Sequence, residues 1–571
     1  FDLALADYNK AVEVAPNDYD GYKERAIFYE EQGDYDLALL DYSKCIDIEP
    51  ENSATYNDRA DLYDNFLENS ELALKDYAKS IKLNNDEYET ARAINNSAII
   101  YENQKKYELA IKEYTKAFNL VKDSTYKSLS LRNRADVYEK QGKFDLALAD
   151  YNKAVEVAPK DYDGYNERAI FYYEQGEYDL ALLDYSKCID LMPENAAAYI
   201  NRADAYEELE KFDLALKDYA KAIELNNDEY STWRAINNRA YIYESQKKYE
   251  LAIKEYTKAI DLVKNPIDKA KSYRNRAFVY EALEKFDLAL ADYNKAVETA
   301  PKEYYNYDYR ADFYETQGQY DLALLDYSKC IDLEPDEVAY YLKCAIINEK
   351  QLKNYKKALE NLNKCIEIDP ENYLLDRAKF YYRQKNYDKA EKDYNELLKF
   401  DNNNFEYYDE RGLFYGLIGE YKKAHKDFEK SIELDTSSRS VYYYRHKIYE
   451  KQGLFDNQKA DLEKTIQMDP KDPEGYYYLG ILYEKKERFY KVIRNYENAI
   501  KCLEAPDGYI ISDENGDEIP HFKIYLKIAE TFKKVEEPED MCEYYKKALK
   551  TADGFVKEKN NIDKLINENC N

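Results

Sequence analysis

Along YDGYKERAIFYEEQGDYDLALLDYSKCIDIEP, apolar side chains fall at Tyr22, Ala26 and Tyr29 and then at Tyr35, Ala38, Leu39, Tyr42, Cys45 and Ile46. Steps of three and four residues put each set on one face of a helix, so the stretch predicts two amphipathic helices. Gly33 stands between them, where a left-handed C-terminal turn favours a residue without Cβ. Pro50 ends the second helix because proline cannot continue the hydrogen-bond ladder. The unit is expected to be a helical hairpin.

The pattern recurs. Its small second-helix residue appears at Ala4, Ala38, Ala73, Ala110, Ala147, Ala181, Ala215, Ala252, Ala289 and Ala323, with most spacings 34, 35 or 37 residues. A longer identity overlies this period: FDLALADYNKAVEVAP begins at Phe1, returns letter for letter at Phe144, and returns at Phe286 with Thr299 as its one change. A block of four hairpins was therefore duplicated whole. One hairpin cannot cover its own apolar face, so units must stack into a solenoid with contacts mostly between neighbours. Where the spacing is 37, as from Ala73 to Ala110 and from Ala215 to Ala252, NNDEYETARAINN and NNDEYSTWRAINN replace the proline stop. About one extra helical turn fits the surplus, which predicts longer connections that raise a periodic ridge on one edge.

Tyr22, Ala26, Tyr29, Gly33, Tyr35, Ala38, Tyr42 and Pro50, in that order and spacing, resemble the tetratricopeptide repeat. The family usually carries Trp at the first aromatic place and Gly at the small one, whereas most units here carry Tyr and Ala. The resemblance implies an all-α fold, a right-handed superhelical α-solenoid of stacked antiparallel helix pairs. On that reading residues 1–18 hold the second helix of a truncated repeat and 19–505 about fourteen repeats. Residues 506–520 form a β-hairpin-like insertion turning at Asn515–Gly516, 521–552 a degenerate final repeat and 553–571 a C-terminal capping helix. The chain begins inside a repeat and without Met, so an upstream segment is expected.

A polar pair accompanies the core in unit after unit: Arg25 with Asp41, Arg168 with Asp184, Arg310 with Asp326, and likewise Arg59 with Asp76, Arg134 with Asp150, Arg202 with Asp218, Arg276 with Asp292 and Arg239 with Glu255. Arg377 with Asp393, Arg411 with Asp427 and Arg445 with Asp461 continue the series. Where the Arg site becomes Cys344 or Leu479, the acidic site becomes Asn361 or Asn495; Ser97 with Glu113 is the exception. Losing one partner would strand a partly buried charge, so joint loss points to direct contact, and a structural bridge inside each hairpin is expected.

Candidate chemistry is sparse. His425, His446 and His521 lie in distant repeats and supply neither a triad nor a metal cluster, and no Gly-rich phosphate loop is present. No cofactor is expected, and the chain is read as non-enzymatic. Asp513, Asn515 and Asp517 superficially resemble a calcium loop, but the glycine falls two places early and Ile524 stands where a bidentate Glu is needed. Cys45, Cys188, Cys330 and Cys365 take the small core position of second helices, and this usage favours a reducing compartment such as the cytoplasm.

The formal net charge of −31 repels nucleic-acid phosphates and favours basic polypeptides. No apolar run approaches the roughly 20 residues needed to span a bilayer. The tetratricopeptide resemblance implies that first helices line an inner wall binding a segment of a partner protein. Its groove positions fall on Arg92, Asn95, Arg132, Arg234, Asn237 and Arg274, with acidic Asp61, Asp136, Asp204 and Asp312 beside them. Asn side chains in such a ladder could hold a peptide backbone. The cationic clamp of the chaperone-binding members is missing, since Asp61, Ile99 and Asp136 occupy its places. Core-spaced tyrosines are packing residues; Tyr173, Tyr305 and Tyr309 lie outside that spacing. Beside the scaffold reading stand two others: the recognition arm of an enzyme whose catalytic domain lies outside these residues, and a self-assembling structural subunit.

Overall fold

Each amphipathic pair folds as two helices joined by a tight left-handed turn. In the computed structural model, which describes residues 2–504, 510–511, 518–552 and 555–570, helix Tyr19–Gln32 ends at Gly33 with φ 80° and is followed at once by helix Tyr35–Ile48. The turn geometry is kept where glycine is absent: Lys105, Glu210 and Glu284 adopt φ of 58°, 54° and 56°. An L-residue pays roughly 1–2 kcal/mol for that conformation, so tertiary packing imposes the turn. The described residues are helical throughout, with no strand longer than an isolated bridge at Glu518.

The chain divides into two compact units, Phe1–Phe313 and Tyr314–Asn571. In the first, every small core residue seats a neighbour. Ala26 and Ala38 have no exposed surface and pack with Tyr42 and with Leu62 of the following hairpin. Ala98, Ala110 and Tyr114 do the same with Val137 one hairpin later. The core is thus a row of small clusters, each closed by the next unit, and a single excised hairpin would expose half of its cluster.

The 37-residue spacings add a helical turn and leave the connection short. First helices Glu87–Asn103, Ser124–Lys140, Glu229–Ser245 and Pro266–Ala282 have 17 residues, against 14 in Tyr19–Gln32 and 13 in Tyr162–Glu174. Asn84 and Asn226, both at φ 46°, close the preceding helices, and Asp86 and Asp228 cap the lengthened ones by accepting the amides of Glu89 and Ser231 at 2.8 Å. The added turn is packed: Thr90 and Thr232 are buried, and buried Trp233 donates its Nε1–H to Ser272 Oγ at 2.8 Å. The surplus thus becomes the expected extra turn, placed at the start of the first helix, where it reaches its neighbour.

The second unit runs as helix pairs to Pro538–Thr551, followed by Val556–Asn569. Its irregularity coincides with the lost arginine: helix Val338–Ile346, which carries Cys344, widens into a π-turn over Ile347–Gln351. A disulfide joins Cys542 to Cys570, with Cα atoms 5.6 Å apart, and ties the terminal helix to its predecessor. The sequence reading took up only the second-helix cysteines and not this pair. Cys45, Cys188, Cys330 and Cys365 are buried and free. Asn515, Gly516 and the calcium-like Asp513 and Asp517 lie outside the described residues. Flanking them, Ile519 N–H donates to the Ile511 carbonyl at 2.7 Å, and both side chains join the hydrophobic cluster around Tyr496 and Phe522.

Candidate functional site

The repeated arginines set the geometry from which the first-helix face is built. Arg25 Nε and Nη2 each donate to Asp41 at 2.7 Å, a bidentate bond within the hairpin. Its third arm leaves the hairpin: Nη1 donates to Asn9 Oδ1 at 2.8 Å, on the preceding second helix. Arg59 to Ser43, Arg134 to Thr115, Arg168 to Asn152 and Arg276 to Thr257 repeat that outward bond at 2.7–2.9 Å. Tyr22 and Tyr29 flank the Arg25 guanidinium with centroids at 5.6 and 5.8 Å, and Tyr165 and Tyr172 do so for Arg168. Each of these five arginines thus joins three helices, where sequence spacing pointed to two. Arg310 and Asp326 lie on opposite sides of the division between the two units. In units without the pair the orphaned sites bond locally, Asn361 to the Lys357 carbonyl, Asn495 to that of Lys491 and Ser97 to that of Ala93.

A second set of ion pairs links consecutive first helices, and it absorbs half of the groove candidates. Arg92 meets Asp58 at 3.1 Å and Asp61 more closely, both on the preceding first helix, with Glu89 at 3.3 Å on its own. Arg234 meets Asp204 at 2.5 Å in the next block. Arg132, its side chain only 6% exposed, faces Glu167, Asp163 at 3.6 Å and Asp161 at 3.8 Å on the following first helix. Asp61 also accepts from Tyr77 and Asn96, and Asp204 from Tyr219 and Asn238. Asp136 pairs with Lys140 at 2.6 Å. Asp312, on helix Tyr304–Thr316, adds its negative field to burial in pushing Glu281 upward.

The two asparagines are not a surface ladder. Asn95 and Asn237 are 3% and 5% exposed, because each packs against the following first helix. Asn95 accepts from Ser130 at 3.2 Å; Asn237 donates to the Trp233 carbonyl and to Ser272. What the face offers instead is aromatic. Between helices Glu229–Ser245 and Pro266–Ala282 lies a cleft of about 410 Å³ lined by Tyr230, Arg234, Tyr241, Asp268, Lys271 and Asn275, with Trp233 and Asn237 at its base. Tyr230 and Tyr241 are more than half exposed, as is Phe278 one hairpin on from Tyr241. The sequence reading missed Tyr230, which stands in the surplus turn, and missed Tyr241 and Phe278 because at one position per repeat the residue alternates: Ile99, Asp136, Ile170, Asp204, Tyr241, Phe278, Asp312. A scan of that position, one residue past the small alanine, finds those two.

Buried titratable groups on this face are structural. The Tyr42, Tyr114 and Tyr256 hydroxyls reach from second helices to Glu30, Glu102 and Glu244 on first helices at 2.9–3.0 Å. Glu207 is pushed up to about 7, chiefly by burial, with the charges of Asp204 and Glu208 adding and a hydrogen bond from Tyr219 opposing. In the second unit His446, fully buried beside Tyr443 and Tyr478, is held down to about 3 by burial, with Lys447 adding to it. Among the described residues no group of three or more His, Cys, Asp or Glu could hold a metal ion, and no helix is long and apolar enough to cross a membrane.

Family models described as tetratricopeptide repeat match residues 7–39, 89–160, 132–196, 196–229, 231–302, 309–337, 339–372, 373–404 and 405–438. No curated protein sequence matches the chain. Among solved structures, yeast Tom70 is 19% identical with a TM-score of 0.35, covering 72% of this chain and 97% of its own. A tetratricopeptide repeat protein from Parabacteroides merdae is 20% identical with a TM-score of 0.35, covering 47% and 98%. The Cut9–Hcn1 hetero-tetramer of the APC/C is 15% identical with a TM-score of 0.38, covering 88% and 96%. The repeat models cover well over half of the residues, and the chain belongs to the tetratricopeptide repeat family.

Proposed function

We propose that this chain is a non-catalytic scaffold that holds a segment of a partner polypeptide along the faces of its first helices, centred on the Tyr230–Tyr241–Phe278 surface. The observation that carries this reading is the aromatic cleft between Glu229–Ser245 and Pro266–Ala282. Large aromatic side chains bury much area at low entropic cost and dominate binding energy at protein interfaces. Tyr230 and Tyr241 stand more than half exposed around a cleft whose polar base is already hydrogen-bonded, and Phe278, equally exposed, follows on the second of its helices. At long range the net charge of −31 favours a segment of net positive charge.

The test is affinity capture from the native source with the wild-type chain and with a Tyr230→Ala/Tyr241→Ala/Phe278→Ala variant. These side chains are largely outside the core, so the variant is expected to keep its helicity. Recovery of the captured polypeptide should fall by about tenfold or more, since a hot-spot aromatic at the centre of an interface is worth about 2 kcal/mol or more. Equal recovery from both would move the binding surface elsewhere.

A further inference from the structure

The duplicated blocks act as an internal control on the first-helix arginines, and one of them has lost its counter-charges. The blocks beginning at Phe144 and Phe286 are offset by 142 residues, and the same offset carries Arg132 onto Arg274. It also carries Asp161, Asp163 and Glu167, the three acids that face Arg132, onto Glu303, Tyr305 and Tyr309. Two carboxylates have become tyrosines. Arg274 accordingly has no carboxylate within ion-pair distance among the described residues and donates no hydrogen bond there. Its guanidinium instead lies 5.7 and 5.1 Å from the ring centroids of Tyr305 and Tyr309, which are 47% and 45% exposed.

A guanidinium partly withdrawn from water and lacking hydrogen-bond acceptors is costly, and the cost is recovered when an anion supplies acceptors for its N–H groups. Burial lowers the Arg274 pKa, while Tyr309, Glu303 and Tyr305 pull the other way from a distance. The aromatic frame strengthens this: rings stabilise the cation without using its in-plane donors, and their hydroxyls add two donors of their own. Phe278 lies one turn along from Arg274 and is 55% exposed, so an apolar residue next to the anion has a surface to cover. Resting on the reading of this face as a docking surface, we propose that Arg274, Tyr305 and Tyr309 form an anchor for one acidic side chain, Asp or Glu, flanked by an apolar residue, of the bound partner segment. The partner chemistry follows from charge complementarity at short range. The net negative charge of the chain opposes an acidic ligand over longer distances, so the segment carries one such residue within an otherwise neutral or basic stretch.

The experiment is selection from a randomised linear peptide library on the wild-type chain, on Arg274→Gln and on Tyr305→Asp/Tyr309→Glu, the last of which restores the acids of the sister block. Circular dichroism checks that each variant is folded, and Arg132→Gln serves as a control arginine. Wild type and Arg132→Gln should enrich peptides with an acidic residue beside an apolar one. Changing that acid to its amide should weaken binding by about tenfold, the scale of one charge-assisted hydrogen bond, and both Arg274-site variants should lose the acidic preference. Peptides that bind with no acidic preference, or with one that survives in both variants, overturn this anchor while leaving the docking face in place. Failure of the wild-type chain to enrich any peptide overturns both.

Discussion

Glu207 shows how a single carboxyl on this face couples folding to pH. Buried under the Tyr219 hydroxyl and next to Asp204 and Glu208, it is pushed from 4.5 up to about 7. A carboxyl raised in the folded state favours folding when protonated. That contribution is fully present below pH 4.5 and is lost as pH rises through about 7. Glu30, Glu139, Glu244 and Glu281 are raised in the same sense, each chiefly by burial. The melting temperature is therefore expected to rise as pH falls from about 7 toward 5, and Glu207→Gln to shrink that rise while stabilising the chain at neutral pH. A melting temperature that falls over this interval, or an unchanged slope in the variant, would contradict the assignment. The partners of Arg25 and Arg168 within their hairpins were legible in the sequence, because acid and base vanish together at Cys344 and Leu479. Their third bonds, to Asn9 and Asn152, were not, since Asn, Ser and Thr share that site and no single letter recurs.

At the scale of the helix, the hairpin turn carries strain in some repeats and none in others. Gly33, Gly142 and Gly176 adopt the left-handed turn at φ of 80°, 70° and 77°, where glycine meets no steric penalty. Glu284 holds φ 56° in the equivalent turn between Pro266–Ala282 and Phe286–Thr299. Glu284→Gly should accordingly stabilise the first unit by up to about 1 kcal/mol, the left-handed penalty less the entropy that glycine adds to the unfolded chain. Denaturant unfolding measures this, and a destabilised variant would show that the turn is shaped by side-chain contacts. Period and proline stops made these elements readable from sequence, and an extra helical turn for the three surplus residues was readable too; which helix takes that turn was not. Capping decides it: Asp86 and Asp228 start the next helix a turn early, and the buried Thr90 and Trp233 reward the extension with packing.

For the molecule as a whole, the chain is a protein–protein interaction scaffold of tetratricopeptide hairpins, and within the first unit each is completed by its neighbour. Its first-helix face is largely self-neutralised. Arg92, Arg132 and Arg234 are each held by acids on an adjacent first helix, about one repeat length away in sequence. The sequence reading placed Asp61 and Asp204 beside the groove arginines as acidic neighbours, but read acids and arginines alike as free to meet a partner and not as each other's counter-charges. The asparagines at the same positions proved to be internal pins, because burial depends on how closely the next helix packs and no single repeat contains that information. The face that remains open is aromatic, and Arg274 on it has no carboxylate within ion-pair distance among the described residues. Hydrogen–deuterium exchange with and without a captured partner segment tests this most directly. The account predicts slowed exchange concentrated in Glu229–Ser245, Pro266–Ala282 and the start of Tyr304–Thr316, with the intervening second helices Tyr249–Leu262 and Phe286–Thr299 unchanged. Protection centred on those second helices, with the first helices unaffected, would contradict it.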